Sequence, residues 1–106
     1  MEKNKYTTFR DFYPYYLAEH SDPVCRMLHF TGSWLVLTLL ALALVTGNGW
    51  WFAAMPVAGY AFAWVGHFFF EKNRPATFTY PVYSLAGDWV MFFHLLTGKI
   101  RFNARA

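Results

Sequence analysis

The chain has 106 residues, of which 57% are hydrophobic, 23% aromatic and only 14% charged, with a formal net charge of +3. That length holds one domain, and so few charges cannot cover the surface a small soluble fold leaves in water, so lipid is read as part of the solvent. The basic residues gather near the ends of apolar segments rather than in a stripe, which argues against a nucleic-acid partner, and the lone Cys25 excludes an internal disulfide.

Residues 1–5 read as a short polar tail, and no signal-peptide pattern opens the chain, so the apolar segments are expected to stay in the mature protein. Phe9, Phe12, Tyr13, Tyr16 and His20 then recur at roughly helical spacing. Pro14 argues against one unbroken helix and favours a short one from about Tyr13, whose tyrosines suit the headgroup layer. Asp22 and Pro23 form an N-cap and first helical residue, and an uncharged stretch of near-spanning length follows at 28–46. Gly47-Asn48-Gly49 is a tight turn, and 50–70 is long enough to span, with Pro56 tolerated as a kink.

A polar break at Glu71-Lys72-Asn73-Arg74-Pro75 precedes a third apolar segment, 80–97, which contains Asp88 and His94. A carboxylate at mid-membrane costs roughly 2.5–3.5 kcal/mol. Lysines and arginines flank the pair of spans on the outside, and the turn between them has no charge. The positive-inside rule therefore places both termini in the cytoplasm, and the third segment is expected to be re-entrant or interfacial. The expected fold is all-α: a transmembrane helical hairpin, an N-terminal interfacial helix and a C-terminal re-entrant or interfacial helix.

His29 and His67 lie the same number of residues before and after Asn48 in the turn, so the two imidazoles come to similar depth near the cytoplasmic boundary. His67 continues the row Gly59-Ala63, and His29 shares a face with Gly32 and Ser33; small residues mark faces where membrane helices approach closely. His20, just before the cap of the first span, can fold over the same region. Neutral imidazoles converging in this way suit iron, zinc, copper or nickel, and intramembrane ionisable groups mark functional sites. His20 and Asp22 with a distant histidine also fit, loosely, a two-histidine-one-carboxylate triad, but Asp22 has a sufficient role as N-cap. Glu71, one turn after His67, is expected to orient it through a hydrogen bond. Arg26 reads equally as a receptor for a carboxylate and as a snorkelling anchor. His94 reads as interfacial, and the spacing leaves open whether it or Asp88 joins the site.

The blocks His20-Ser-Asp-Pro23-Val-Cys25-Arg26-Met-Leu-His29, Gly66-His67-Phe-Phe-Phe-Glu71-Lys-Asn73-Arg74-Pro75-Ala76-Thr77, and Ser84-Leu85 with Asp88 resemble the 2-hydroxy fatty acid dioxygenases, whose fungal members reside in the endoplasmic reticulum. The resemblance runs from about Tyr16 to Gly98. It implies an iron(II)-dependent oxidation in which a 2-hydroxy fatty acid and dioxygen give carbon dioxide and a fatty acid one carbon shorter. It carries the metal ligands over to His20, His29 and His67. The substrate is expected to chelate iron through its hydroxyl and carboxylate oxygens, with its alkyl chain in lipid and Arg26 or Arg74 near its carboxylate. Glu71, Arg26 and Arg74 are thus the expected catalytic side chains. Cys25 stands where relatives with this Arg-x-Leu-His block usually carry Asn, and Asn73-Arg74 before Pro75 is unlike the fungal enzymes, which suggests a short bacterial branch located in the inner membrane.

Two readings from other classes stand beside this one. One is a haem-binding electron-transfer protein with His29 and His67 as axial ligands. The other is a metal-free structural membrane protein. Substrate chain length, the choice of iron over zinc, and monomer against homo-oligomer are open at the level of sequence.

Overall fold

A computed structural model describes residues 5–102. Within them the chain is all-helical: α1 (Phe9–Glu19), α2 (Pro23–Thr46), α3 (Trp50–Val65), a π-helical turn (Gly66–Glu71), a 3-10 turn (Ala76–Phe78) and α4 (Pro81–Leu96). α1 is longer than expected and runs unbroken through Pro14. It begins at Phe9 because Thr8 Oγ1 accepts the Asp11 N–H at 3.2 Å, and the carbonyl that Pro14 leaves unbonded belongs to the exposed Arg10.

The other boundaries follow the cap chemistry. Asp22 Oδ1 accepts the N–H groups of Val24 (2.8 Å) and Cys25 (3.2 Å), so the capping role of Asp22 is the one observed. Gly47 ends α2 at φ 70°, and Asn48 Oδ1 accepts the Trp50 N–H at 3.0 Å to start α3. The expected second span is not one α-helix: it passes into the π turn at Gly66, and Lys72 closes that turn at φ 62°.

α2 and α3 form the hairpin, in close approach along glycines. A Cβ on Gly32 would lie 2.9 Å from Phe62 Cβ, and one on Gly66 would lie 3.2 Å from the Cys25 backbone. Of the small-residue faces expected from the sequence, Gly32 is a point of close contact, whereas Ser33, Gly59 and Ala63 line a cavity. Gly32→Ala forces the helices apart at a point where no flexible side-chain end can yield. We expect it to cost about 1–3 kcal/mol of overpacking, offset in part by about 1 kcal/mol of helix propensity. Thermal unfolding in detergent, beside Ala58→Gly as a propensity control, checks this.

Much of the hairpin surface is bare: Leu44, Val45 and Trp50 are 69%, 85% and 81% exposed, and α3 has no buried residue. Two helical stretches, Pro23–Thr46 and Trp50–Glu71, are long and apolar enough to cross a membrane. α4, at about 24 Å, is shorter than the hydrocarbon core.

The core lies at the other end, where α1 and α4 pack beside the first turns of α2. Phe12, Tyr16, Ala76, Tyr80, Met91 and Leu95 form it. Each large side chain of this set contributes roughly 1.5–3 kcal/mol by burial. Phe92 joins α4 to α2 through Phe30 (5.2 Å) and Trp34 (5.3 Å). Gly87 lets α4 approach the Tyr16 ring, where a Cβ would lie 3.0 Å away. Tyr13 Oη and His94 Nδ1 hydrogen-bond at 2.8 Å between α1 and α4, away from the three other histidines. Burial holds the Tyr13 phenol up at about 12, and burial with Lys99 nearby holds His94 below its usual range.

Candidate metal centre

Three structural elements each deliver one buried imidazole to a single point. His20 is the residue that ends α1, His29 lies in the second turn of α2, and His67 sits in the π turn. Their rings are near-perpendicular in every pair, at 86°, 80° and 87°, with centroids 4.5, 4.3 and 5.2 Å apart. One potential ligand atom from each lies within 4.8 Å of the other two.

Hydrogen bonding fixes which nitrogen each ring offers. His20 Nδ1 meets the Tyr16 carbonyl at 2.6 Å and His29 Nδ1 meets the Cys25 carbonyl at 3.0 Å, so each must donate. His67 Nδ1 meets Asn73 Oδ1 at 2.7 Å. The Asn73 amide cannot be reversed, because its Nδ2 donates to the Glu19 carbonyl (3.1 Å) and to Glu19 Oε1 (3.3 Å). All three Nδ1 atoms therefore carry protons, and all three Nε2 atoms present lone pairs. His20 Nε2 and His67 Nε2 stand 2.8 Å apart. Two lone pairs at that distance repel, and a cation between the rings removes the repulsion. A proton is a poor candidate for it, since burial, then the neighbouring His29 and His67, hold His20 well below the usual histidine range. A metal ion suits three neutral imidazoles whose other nitrogens are each anchored by an oxygen.

The local chain path explains the Asn73 contact. With Lys72 left-handed, the N–H of Asn73 returns to the His67 carbonyl at 3.1 Å, which brings its side chain beside the His67 ring. Asn73→Ala is expected to weaken metal binding about 10–100-fold, while Asn73→Asp, which keeps the acceptor, retains most of it. Competition with a chelator of known affinity measures both.

The other expected site residues are placed differently. Glu71 is not the hydrogen-bond partner of His67; its Oε2 accepts the N–H of Asp22 and ties the π turn to the start of α2. Arg26 neither snorkels nor faces an open site. It is 5% exposed, and its guanidinium donates to the carbonyls of His20 (2.6 Å), Arg101 (2.6 Å) and Leu17 (3.4 Å). Arg74 is exposed and lies over the Phe78 ring at 5.0 Å.

The three histidines line a cavity of about 330 Å³ between α3 and α4, floored by α2. Its walls are mostly apolar, with Val36, Met55, Gly59, Ala63, Leu85 and Trp89 among them, which is the character of a small-molecule site. Among the described residues no lysine or arginine lines it. Asp88 does, so the one carboxyl of α4 faces the cavity and its Oδ1 accepts the Tyr16 hydroxyl. Burial lifts Asp88 to about 6, opposed by that hydrogen bond. The Tyr16 ring in turn stacks on His20 at 3.9 Å.

A family model described as Mpo1-like, 2-hydroxy-palmitic acid dioxygenase Mpo1-like, matches residues 6–100. The chain belongs to this family. No curated protein and no solved structure matches it. In this Mpo1-like chain, as in the sequence blocks that carry the resemblance, His20, His29 and His67 are the residues that come together, with Asp88 close by. Asn73 was missed by sequence reasoning. Its signal was the left-handed return after a buried histidine, which spacing along an α-helix does not show.

Proposed function

We propose that the chain is an iron(II)-dependent dioxygenase that converts a 2-hydroxy fatty acid to the fatty acid one carbon shorter. The observation that carries this reading is the convergence of three histidines, each with its Nδ1 on an oxygen, in the lining of a mostly apolar cavity. His20, His29 and His67 would hold the metal. Bound iron(II) supplies the dioxygen-activating chemistry. In the overall reaction the C1–C2 bond breaks, C1 leaves as carbon dioxide, and C2 becomes the new carboxyl carbon. Dioxygen is reduced by the electrons released, giving up its oxygen to the products, among them water.

The chain's own residues do the rest. The apolar walls take the alkyl chain and exclude water from the reacting end. With no lysine or arginine among the described lining residues, the countercharge for the substrate carboxylate would come from the metal, not from Arg26 or Arg74. Glu71 and Arg26 act indirectly, by holding the elements that carry the ligands. α2 and α3 cross a bacterial inner membrane as a hairpin with both termini cytoplasmic, and the acyl chain enters from the bilayer side past the part-exposed Tyr60 and Trp64.

A haem with His29 and His67 as axial ligands is disfavoured by His20. Its Nε2 lies 2.8 Å from that of His67, where the macrocycle would have to pass.

The test is oxygen uptake and product analysis with 2-hydroxypalmitate, using protein loaded with iron under anaerobic conditions. Formation of pentadecanoate and carbon dioxide supports the reading. Iron-loaded protein that consumes no oxygen with any 2-hydroxy fatty acid sinks it.

A further inference from the structure

α4 turns two polar side chains into the cavity one turn apart, Ser84 and Asp88. Ser84 is only 5% exposed, and among the described residues its Oγ is the one buried side-chain polar atom without a hydrogen-bond partner. A helical hydroxyl has a ready remedy, the carbonyl four residues back. Thr38, Thr46 and Thr97 each take it, donating to Trp34, Leu42 and Phe93. Ser84 does not, although the Tyr80 carbonyl stands in the corresponding place and accepts only its N–H, at 2.8 Å. A buried hydroxyl left in this state is costly in an apolar wall and calls for a partner that the described residues do not supply.

Asp88 limits what that partner is. Tyr16 engages one of its oxygens, and its carboxyl lines the same cavity. A serine hydroxyl that gives a hydrogen bond, beside a carboxylate that takes one, matches a group able to do both. An alcohol does both, whereas a carboxylate only accepts and would be repelled by Asp88. A bare methylene would leave Ser84 unpartnered.

We propose that Ser84 and Asp88 determine specificity by reading the 2-hydroxyl of the fatty acid. Ser84 Oγ–H donates to the hydroxyl oxygen, and Asp88 accepts the hydroxyl's hydrogen. This inference rests on the reading of the cavity as a 2-hydroxy fatty acid site, and it gives the discrimination against ordinary fatty acids a physical basis. A site built to bond a hydroxyl rejects the analogue that lacks it, because its own polar groups are then stranded.

The experiment is equilibrium binding of 2-hydroxypalmitate and of palmitate to zinc-loaded protein in nanodiscs, with metal content measured in the same samples. Wild type is expected to prefer 2-hydroxypalmitate at least about tenfold. Ser84→Ala and Asp88→Asn should each bring that preference close to parity, with palmitate affinity no weaker than in wild type and metal content unchanged. Ser84→Ala removes an orphaned hydroxyl, so it should also unfold no earlier than wild type without ligand, and it carries the test alone if Asp88→Asn misfolds. Variants that keep the wild-type preference, or lose both ligands equally, overturn the proposal. Metal-loaded wild type without a preference overturns it while leaving the metal centre standing, and wild type that takes up no metal overturns both.

Discussion

Replacing His67 with Gln is expected to take near-stoichiometric iron down to background in elemental analysis of the purified protein. The glutamine has comparable bulk but no imidazole lone pair, and two ligands do not hold a borderline metal against buffer and detergent washes. A second consequence separates a metal site from a structural histidine cluster. In wild type without metal, the facing Nε2 atoms of His20 and His67 stay in mutual repulsion at 2.8 Å. An amide at position 67 can instead donate to His20 Nε2, which recovers on the order of 1–3 kcal/mol. Metal-free His67→Gln should therefore unfold no more easily than metal-free wild type, whereas added iron or zinc should stabilise wild type alone. Thermal unfolding with and without chelator reads both effects. A variant that keeps its iron, or a wild type indifferent to metal, would show that the cluster is not a metal site.

Arg26→Met is expected to lower stability by at least about 3 kcal/mol, because three buried or part-buried carbonyls lose a charged donor together. The carbonyls belong to Leu17 and His20 at the end of α1 and to Arg101 near the C-terminus. The guanidinium thus fastens the end of α1 and the segment after α4 to the base of α2. Since one of its acceptors is the backbone of a proposed ligand, metal affinity should fall in step with stability. Arg26→Lys should recover little, as an ammonium lacks the planar fork that reaches three carbonyls. If Arg26 served the substrate carboxylate instead, Arg26→Met would unfold normally and show only a raised KM.

How far the sequence reached depended on whether a feature is local. The Asp22-Pro23 start, the turn at Gly47-Asn48-Gly49 and the glycine faces of the hairpin were legible because caps, left-handed glycines and close helix contacts have short-range signatures. The meeting of His29 with His67 was legible through their symmetric placement about Asn48. The partners of those residues were not. Arg26 bonds to a carbonyl 75 residues away, an acceptor with no side-chain identity to search for. Glu71 was assigned to His67 on α-helical spacing, but the chain widens at Gly66 and reverses at Lys72, and these two steps hand the ring to Asn73. Pro14 suggested a break because its own missing donor is visible in sequence, whereas the Thr8 cap that starts the helix before it is a weaker signal. Asp88 stood out as costly in lipid, but only the packing of α4 against Tyr16 shows that it faces inward.

The π turn also constrains how this chain can change length. Such a turn is an α-helix carrying a surplus residue, so excising Phe68, Phe69 or Phe70 would let α3 continue in better-bonded α geometry. The same excision would rotate everything beyond it by about 100° about the helix axis and sweep Asn73 away from His67. The shortened protein would be the more regular helix and the poorer metal chelator. Related chains should therefore tolerate insertions and deletions at the Gly47-Asn48-Gly49 tip while keeping the count between His67 and Asn73 fixed.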